Sequence, residues 1–128
     1  MEWRISGGAP IYSQLVEQLT LRIVTETYPP GARIPPVREL AMEAGVNPNT
    51  MQRALGELER MGLVFSQRTS GRFVTEDRLL IEGAKRSLAE EQVKAFLRSM
   101  EELGLGAAEV DSLLREAREK EEKHDTDS

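Results

Sequence analysis

The sequence predicts a mainly α-helical protein with one small β-hairpin. Three observations carry that reading. Apolar residues recur at helical spacing in several separate stretches, two short apolar runs flank one polar turn, and proline or glycine punctuates the ends of most segments. The 128 residues are 39% hydrophobic and 30% charged, a balance that suits a folded, largely helical chain rather than a disordered one. A chain of this size buries a limited core, so completing that core by self-association is expected.

Pro10 can open a helix at its first position, where its missing N–H costs nothing. Ile11, Leu15, Val16, Leu19, Ile23 and Val24 then follow at helical spacing, and Tyr28-Pro29-Pro30-Gly31 ends the helix. Pro35-Pro36 starts a short second helix carrying Val37, Leu40, Ala41 and Ala44, with Gly45 in the place of a C-terminal cap. Asn47-Pro48 supplies a capping oxygen and a first-position proline for a third helix. Its inner face is Met51, Ala54, Leu55, Leu58 and Met61, and Gly62 terminates it. Leu63-Val64-Phe65 reads as a strand, Gln67 to Gly71 as a polar turn, and Arg72 to Thr75 as the returning strand.

From about Asp77 the pattern is helical again. Val93, Phe96, Leu97, Met100 and Leu103 form one stripe, extended backwards through Leu80, Ala84 and Leu88, and Gly83 weakens this helix locally by about 1 kcal/mol relative to alanine. Gly104-Leu105-Gly106 makes a turn, and Val110, Leu113, Leu114 and Ala117 mark a last helix. Glu116 to Ser128 is a charged tail expected to fray.

Composition excludes several functions. Without cysteine there is no disulfide, thiol nucleophile or zinc finger, and the one histidine, His124, lies in the polar tail beside Lys123 and Asp125. An enzyme needs a cluster of base, nucleophile or metal ligands, and little remains to build one. No cofactor is expected. Met1-Glu2-Trp3-Arg4 lacks the apolar run of a signal peptide, and no apolar stretch approaches a membrane span, so a cytoplasmic location without membrane attachment is expected. The net charge of −5 is unevenly spread: residues 1–78 hold nine Arg, no Lys and nine Asp or Glu, whereas residues 79–128 hold eight Lys or Arg against thirteen acids. The front segment is thus neutral and uses only arginine, the cation suited to bidentate contact with phosphate and guanine.

The segment from Val37 to Met61 reads helix, glycine turn, helix. Such a pair lays its second helix in the DNA major groove, N-terminal residues foremost. Here that first turn is Asn47-Pro48-Asn49-Thr50, followed by Gln52 and Arg53. Asn and Gln can pair bidentately with adenine and Arg with guanine, while Met51, Ala54 and Leu55 face inward. The alternative is a capped helix whose polar face is merely wet. A hairpin with arginine in its loop, Arg68 to Arg72, is a wing. Arg38 has Glu39 and Glu43 as alternative partners, Tyr12 either packs or touches phosphate, and Arg33 and Arg60 read as surface.

Pro10-Ile11-Tyr12, Pro30-Gly31-Ala32-Arg33-Ile34-Pro35, Val37-Arg38-Glu39-Leu40-Ala41 and Gly45-Val46-Asn47-Pro48-Asn49-Thr50 occur in order, followed by Ala54-Leu55, Leu58-Glu59, Gly62-Leu63-Val64 and Gly71-Arg72-Phe73-Val74. Together they resemble the N-terminal domain of the GntR family over roughly residues 9–76. The short two-helix remainder resembles the YtrA subfamily, in which it is a small dimerisation domain. Longer subfamilies carry an effector or aminotransferase-like domain for which this chain has no room.

The resemblance implies a recognition helix from Asn47, a DNA grip at Arg38 and a wing around Arg68, Gly71 and Arg72 that enters the minor groove. It also makes repression the expected sign of regulation. Two departures stand out. Pro36 occupies the usual serine position ahead of Val37, and Thr69-Ser70-Gly71 replaces a Gly-x-Gly wing tip.

The expectation is therefore a winged helix-turn-helix DNA-binding domain over residues 1–76, a helical dimerisation domain over 77–122 and a flexible tail over 123–128. It would bind a palindromic operator in double-stranded DNA as a homodimer, through Arg38, Asn47, Asn49, Thr50, Gln52, Arg53, Arg68, Gly71 and Arg72. The competing reading is a winged helix that docks on protein. No convergent polar set defines a small-molecule effector site.

Overall fold

The computed structural model describes residues 2–127, and the chain divides into two compact units, residues 1–89 and 90–128. The first unit opens with an extended N-terminal arm. Gln14 clamps it: its Oε1 accepts from the Ser6 N–H at 2.7 Å, and its Nε2 donates to the carbonyls of Ser6 and Ala9, each at 2.7 Å. Trp3 and Ile5 of the arm thereby pack against the core.

Helix α1 (Ile11–Val24) follows Pro10, whose φ of −56° leads directly into the first turn. Leu15, Leu19 and Ile23 recur every four residues and are buried. Arg22 lies on a neighbouring face and is also buried, at 5% exposure. Its guanidinium stacks 4.1 Å from the Trp3 ring centre and donates through Nη1 to the Tyr28 hydroxyl at 3.0 Å. Burial pushes the Tyr28 phenol up, and the bond from Arg22 offsets part of that shift.

Helix α2 (Val37–Ala44) has Pro36 as its N-cap with no side-chain capping bond, which is the loss that proline in place of serine implies. Gly45 closes the helix at φ 69°, and the Val46 N–H reaches back to the Ala41 carbonyl. Helix α3 (Pro48–Arg60) is capped by Asn47, whose Oδ1 accepts from the Asn49 N–H at 2.8 Å. Met51, Ala54, Leu55 and Leu58 are fully buried, and α3 packs on both α1 and α2.

The hairpin pairs β1 (Val64–Gln67) antiparallel with β2 (Gly71–Val74), with Val64 opposite Val74, Phe65 opposite Phe73, Ser66 opposite Arg72 and Gln67 opposite Gly71. Strand alternation sends Val64, Ser66, Arg72 and Val74 to one face and Phe65, Gln67, Gly71 and Phe73 to the other. Val64 and Val74 are buried, whereas Phe65 stacks on Phe73 with ring centres 5.9 Å apart. A third strand-like segment, which the sequence pattern does not signal, flanks β2. Gly31 N–H donates to the Val74 carbonyl, Ile34 N–H to that of Arg72 and Val74 N–H to that of Ala32, placing Arg33 opposite Phe73.

Helix α4 (Arg78–Glu102) starts on Asp77, whose Oδ1 accepts from the N–H groups of Leu79 and Leu80, and it runs unbroken through Gly83. Its early turns belong to the first unit: Ile81 is in the core and Ala84 packs against it. The units thus divide inside α4, with Ile81 part of the first unit's core.

The second unit contains the rest of α4 and helix α5 (Ala107–Asp127), joined at Gly104 with φ 82°. The α5 backbone is helical past Ala117, where the apolar pattern stops. Glu116 and Lys120, and Glu119 and Lys123, have the four-residue spacing that supports a charged helix. Of the tail expected at 123–128, Ser128 lies outside the described residues. Among the described residues of this unit only Val110 is buried, while Val93, Phe96, Leu97, Leu103, Leu113 and Leu114 are exposed.

Ile81→Ala should destabilise the first unit by about 2–4 kcal/mol, the usual cost of removing a buried aliphatic side chain. Urea titration of the full chain checks this, and an unchanged midpoint would remove α4 from that core.

Candidate nucleic-acid interface

The exposed side of the first unit is built around the start of α3. Burial of Met51, Ala54, Leu55 and Leu58 rotates Asn49, Gln52 and Arg53 to the outer face, where all three are exposed. Asn47 is exposed and spends its oxygen on the cap, and Thr50 is half-buried at the edge. The first turn of α3 holds no acidic residue, so the positive end of the helix is not neutralised by its own side chains.

Arg53 is held in place. Its guanidinium lies 4.7 Å from the centre of the Tyr12 ring, and the Tyr12 hydroxyl donates to Glu57 Oε2 at 3.3 Å. Glu57 also pairs with Arg60. Tyr12 therefore bridges α1 and α3 and sets where Arg53 starts, a role that residue spacing alone leaves open.

Arg38, at the start of α2, is exposed and makes no ion pair among the described residues, so neither Glu39 nor Glu43 captures it. Arg68 occupies the wing turn and is likewise exposed and unpaired among the described residues. Gly71 has φ 97°, and a Cβ there would meet Arg33 Nε at 2.9 Å. Thr69-Ser70 takes the rest of the turn, with Ser70 N–H donating to the Gln67 carbonyl.

Arg72 has a different position from the one its wing location suggests. Its Nε donates to Glu59 Oε1 at 2.7 Å, and its side chain is only 18% exposed. The same carboxylate accepts from the Ser66 hydroxyl. Arg72 therefore faces α3 from the inner side of the wing, as strand alternation requires, while Gly71 and Phe73 face outward. Arg33, read from sequence as surface, lies against Gly71 and lines a cleft of about 310 Å³ with Pro36, Val37, Gln67 and Arg72. Its lining contains no carboxylate. Only the pairing of residues 31–34 with β2 brings Arg33 there, a contact for which the sequence carries no local signal.

The chain belongs to the gntR family of bacterial regulatory proteins, which matches residues 11–74. This GntR-family chain is 36% identical over 93 residues to the HTH-type transcriptional repressor YtrA of Bacillus subtilis (strain 168), covering 71% of each chain. It is similar to a solved GntR family transcriptional regulator from Listeria monocytogenes, with a TM-score of 0.78 and 34% identity over 88% of this chain and 98% of that one. It is also similar to the DNA-binding domain of AraR in complex with operator ORX1, with a TM-score of 0.54 and 30% identity over 59% of this chain and 96% of that one. Its similarities are thus to regulators rather than enzymes. Among the described residues no helix is long and apolar enough to cross a membrane.

The Ser66 hydroxyl and then Arg72 hold the Glu59 carboxyl below the usual carboxylate range. A depressed folded value means that the unfolded chain binds the proton more readily, so this stabilisation is complete above the unfolded value and is lost as pH falls through the folded one. Acid should therefore destabilise the wild-type first unit more than a Glu59→Gln variant. Parallel slopes of unfolding free energy against pH for the two would contradict it.

Proposed function

We propose that this GntR-family chain is a cytoplasmic, sequence-specific repressor that binds a twofold-symmetric operator in double-stranded DNA as a homodimer. The observation that carries the reading is the exposed outer stripe of α3, Asn49, Gln52 and Arg53, beside the unpaired Arg38 and Arg68. The operator complex of the AraR domain supports DNA as the partner, and the name of YtrA supports repression.

In this reading Asn49, Gln52 and Arg53 contact base edges, with Tyr12 orienting Arg53. Asn47 and Thr50 lie nearer the backbone, Arg38 holds phosphate, and Arg68 enters the minor groove with Gly71 allowing the sharp turn behind it. A symmetric dimer would place its half-sites about one helical turn apart, roughly 34–36 Å. The exposed apolar residues of the second unit, Val93, Phe96, Leu97, Leu103, Leu113 and Leu114, supply the dimer surface.

Selection of bound fragments from random DNA tests the reading directly. Arg53→Ala should cost about 1–3 kcal/mol on the selected site and relax preference at one base pair, whereas Arg38→Ala should weaken all sequences alike. Equal losses on selected and random duplexes for both variants would remove α3 as the reader.

Assembly has its own test. Phe96→Glu combined with Leu97→Glu should yield monomers in sedimentation and sharply weaker operator binding. A wild-type chain that sediments as a monomer at micromolar concentration would exclude the dimer.

A further inference from the structure

We propose that Arg33, from the connection between α1 and α2, is the arginine that contacts the DNA backbone beside the wing, and that Arg72 is a positioning residue that ties the wing to α3 through Glu59. The assignment rests on the DNA-binding reading above.

Two arginines lie at the base of the wing on opposite faces of β2. Arg72 shares its face with Ser66 and the buried Val64 and Val74, and its Nε meets Glu59 of α3 at 2.7 Å. That carboxylate is also bonded by Ser66 of β1, so one acid joins both wing strands to α3. With its charge compensated and its side chain mostly covered, Arg72 has little left to offer a phosphate. What it does is fix the angle at which the wing leaves the recognition helix.

Arg33 is in the opposite situation. It is exposed and has no ion-pair partner among the described residues. The bonds of Ile34 and Ala32 to β2 hold its backbone, and it stands opposite Phe73 at a position where paired side chains approach closely. Its guanidinium extends diagonally over Gly71, where any side chain would collide with Nε. Its planar, permanently charged guanidinium suits contact with a phosphate. The cleft that it lines, between the start of α2 and the wing, is also lined by Ser66 and Arg72, but the one carboxylate those two hold, Glu59, is not itself part of the lining and is already bonded to both.

The test uses the full-length chain and a duplex selected from random DNA by the wild-type chain, with affinity measured over a series of KCl concentrations. Arg33→Ala should flatten the slope of log K against log salt by about one unit, the signature of one lost phosphate contact. Arg33→Lys should restore that slope. Arg72→Met, which keeps the apolar stem, should weaken binding with the slope unchanged. Added to Glu59→Gln it should cause little further loss, because the two act as one tie.

An Arg33→Ala slope equal to wild type overturns the assignment of Arg33, even where an Arg72 variant fails to fold. An Arg72→Met variant that flattens the slope, and does so equally with or without Glu59, overturns the positioning role. A wild-type chain with no salt-dependent retention of any duplex overturns the DNA-binding reading itself, and this assignment with it.

Discussion

Burial of the apolar stripe of α3 is the constraint on which the rest of the first unit depends. Met51, Ala54, Leu55 and Leu58 are fully enclosed, with Leu15, Leu19 and Ile23 of α1 and Leu40 and Ala41 of α2 in the same core. Each leucine, isoleucine or methionine among them contributes roughly 1.5–3 kcal/mol of burial, and each alanine less. Because successive helical residues turn by about 100°, enclosing these four leaves Asn49, Gln52 and Arg53 on the solvent side. The outward polar stripe is therefore a by-product of core packing. Asn47 then sets where the helix begins, by capping it at the Asn49 N–H.

Charge is distributed by pairing rather than by composition. The front segment holds as many acids as arginines, which suggests no field of either sign. In the folded unit Glu57 is taken by Arg60 and Tyr12, and Glu59 by Arg72 and Ser66. The acids of α3 are thus tied on its flanks, and Arg33, Arg38 and Arg68 are left without carboxylate partners among the described residues. A neutral segment thereby gains a cationic edge, which matters for binding a polyanion more than net charge does. The buried Arg22 contributes nothing to that edge: Trp3 and Tyr28 enclose it, and its role is to hold the N-terminal arm on the core.

The two units differ in how far they bury their own apolar residues. The first unit encloses a core drawn from α1, α2, α3, the hairpin and the early turns of α4. In the second, leucine, valine and phenylalanine side chains remain exposed along both helices. An apolar surface of that kind on a short helical pair is a surface that another chain can cover.

By itself the sequence determined what depends on local sterics and on periodicity. Pro10, Pro36 and Pro48 place the starts of three helices, Gly45 and Gly62 turn the chain after α2 and α3, and the four-residue spacing of leucines selects the inner faces. The resemblance to the GntR family was likewise legible, since its motifs are short and in order. Tertiary structure alone decided the pairing of residues 31–34 with β2, the burial of Arg22, the capture of Arg72 by Glu59 and the membership of Ile81 in the first core. These join residues distant in sequence. An arginine is ambiguous to any local reading, because its long apolar stem and charged head let it lie on a core, pair with an acid or extend into solvent. Which of these occurs depends on the faces that packing brings beside it. At the base of this wing, strand alternation turned Arg72 toward an acid, and the flanking segment laid Arg33 against a glycine, without an ion-pair partner among the described residues.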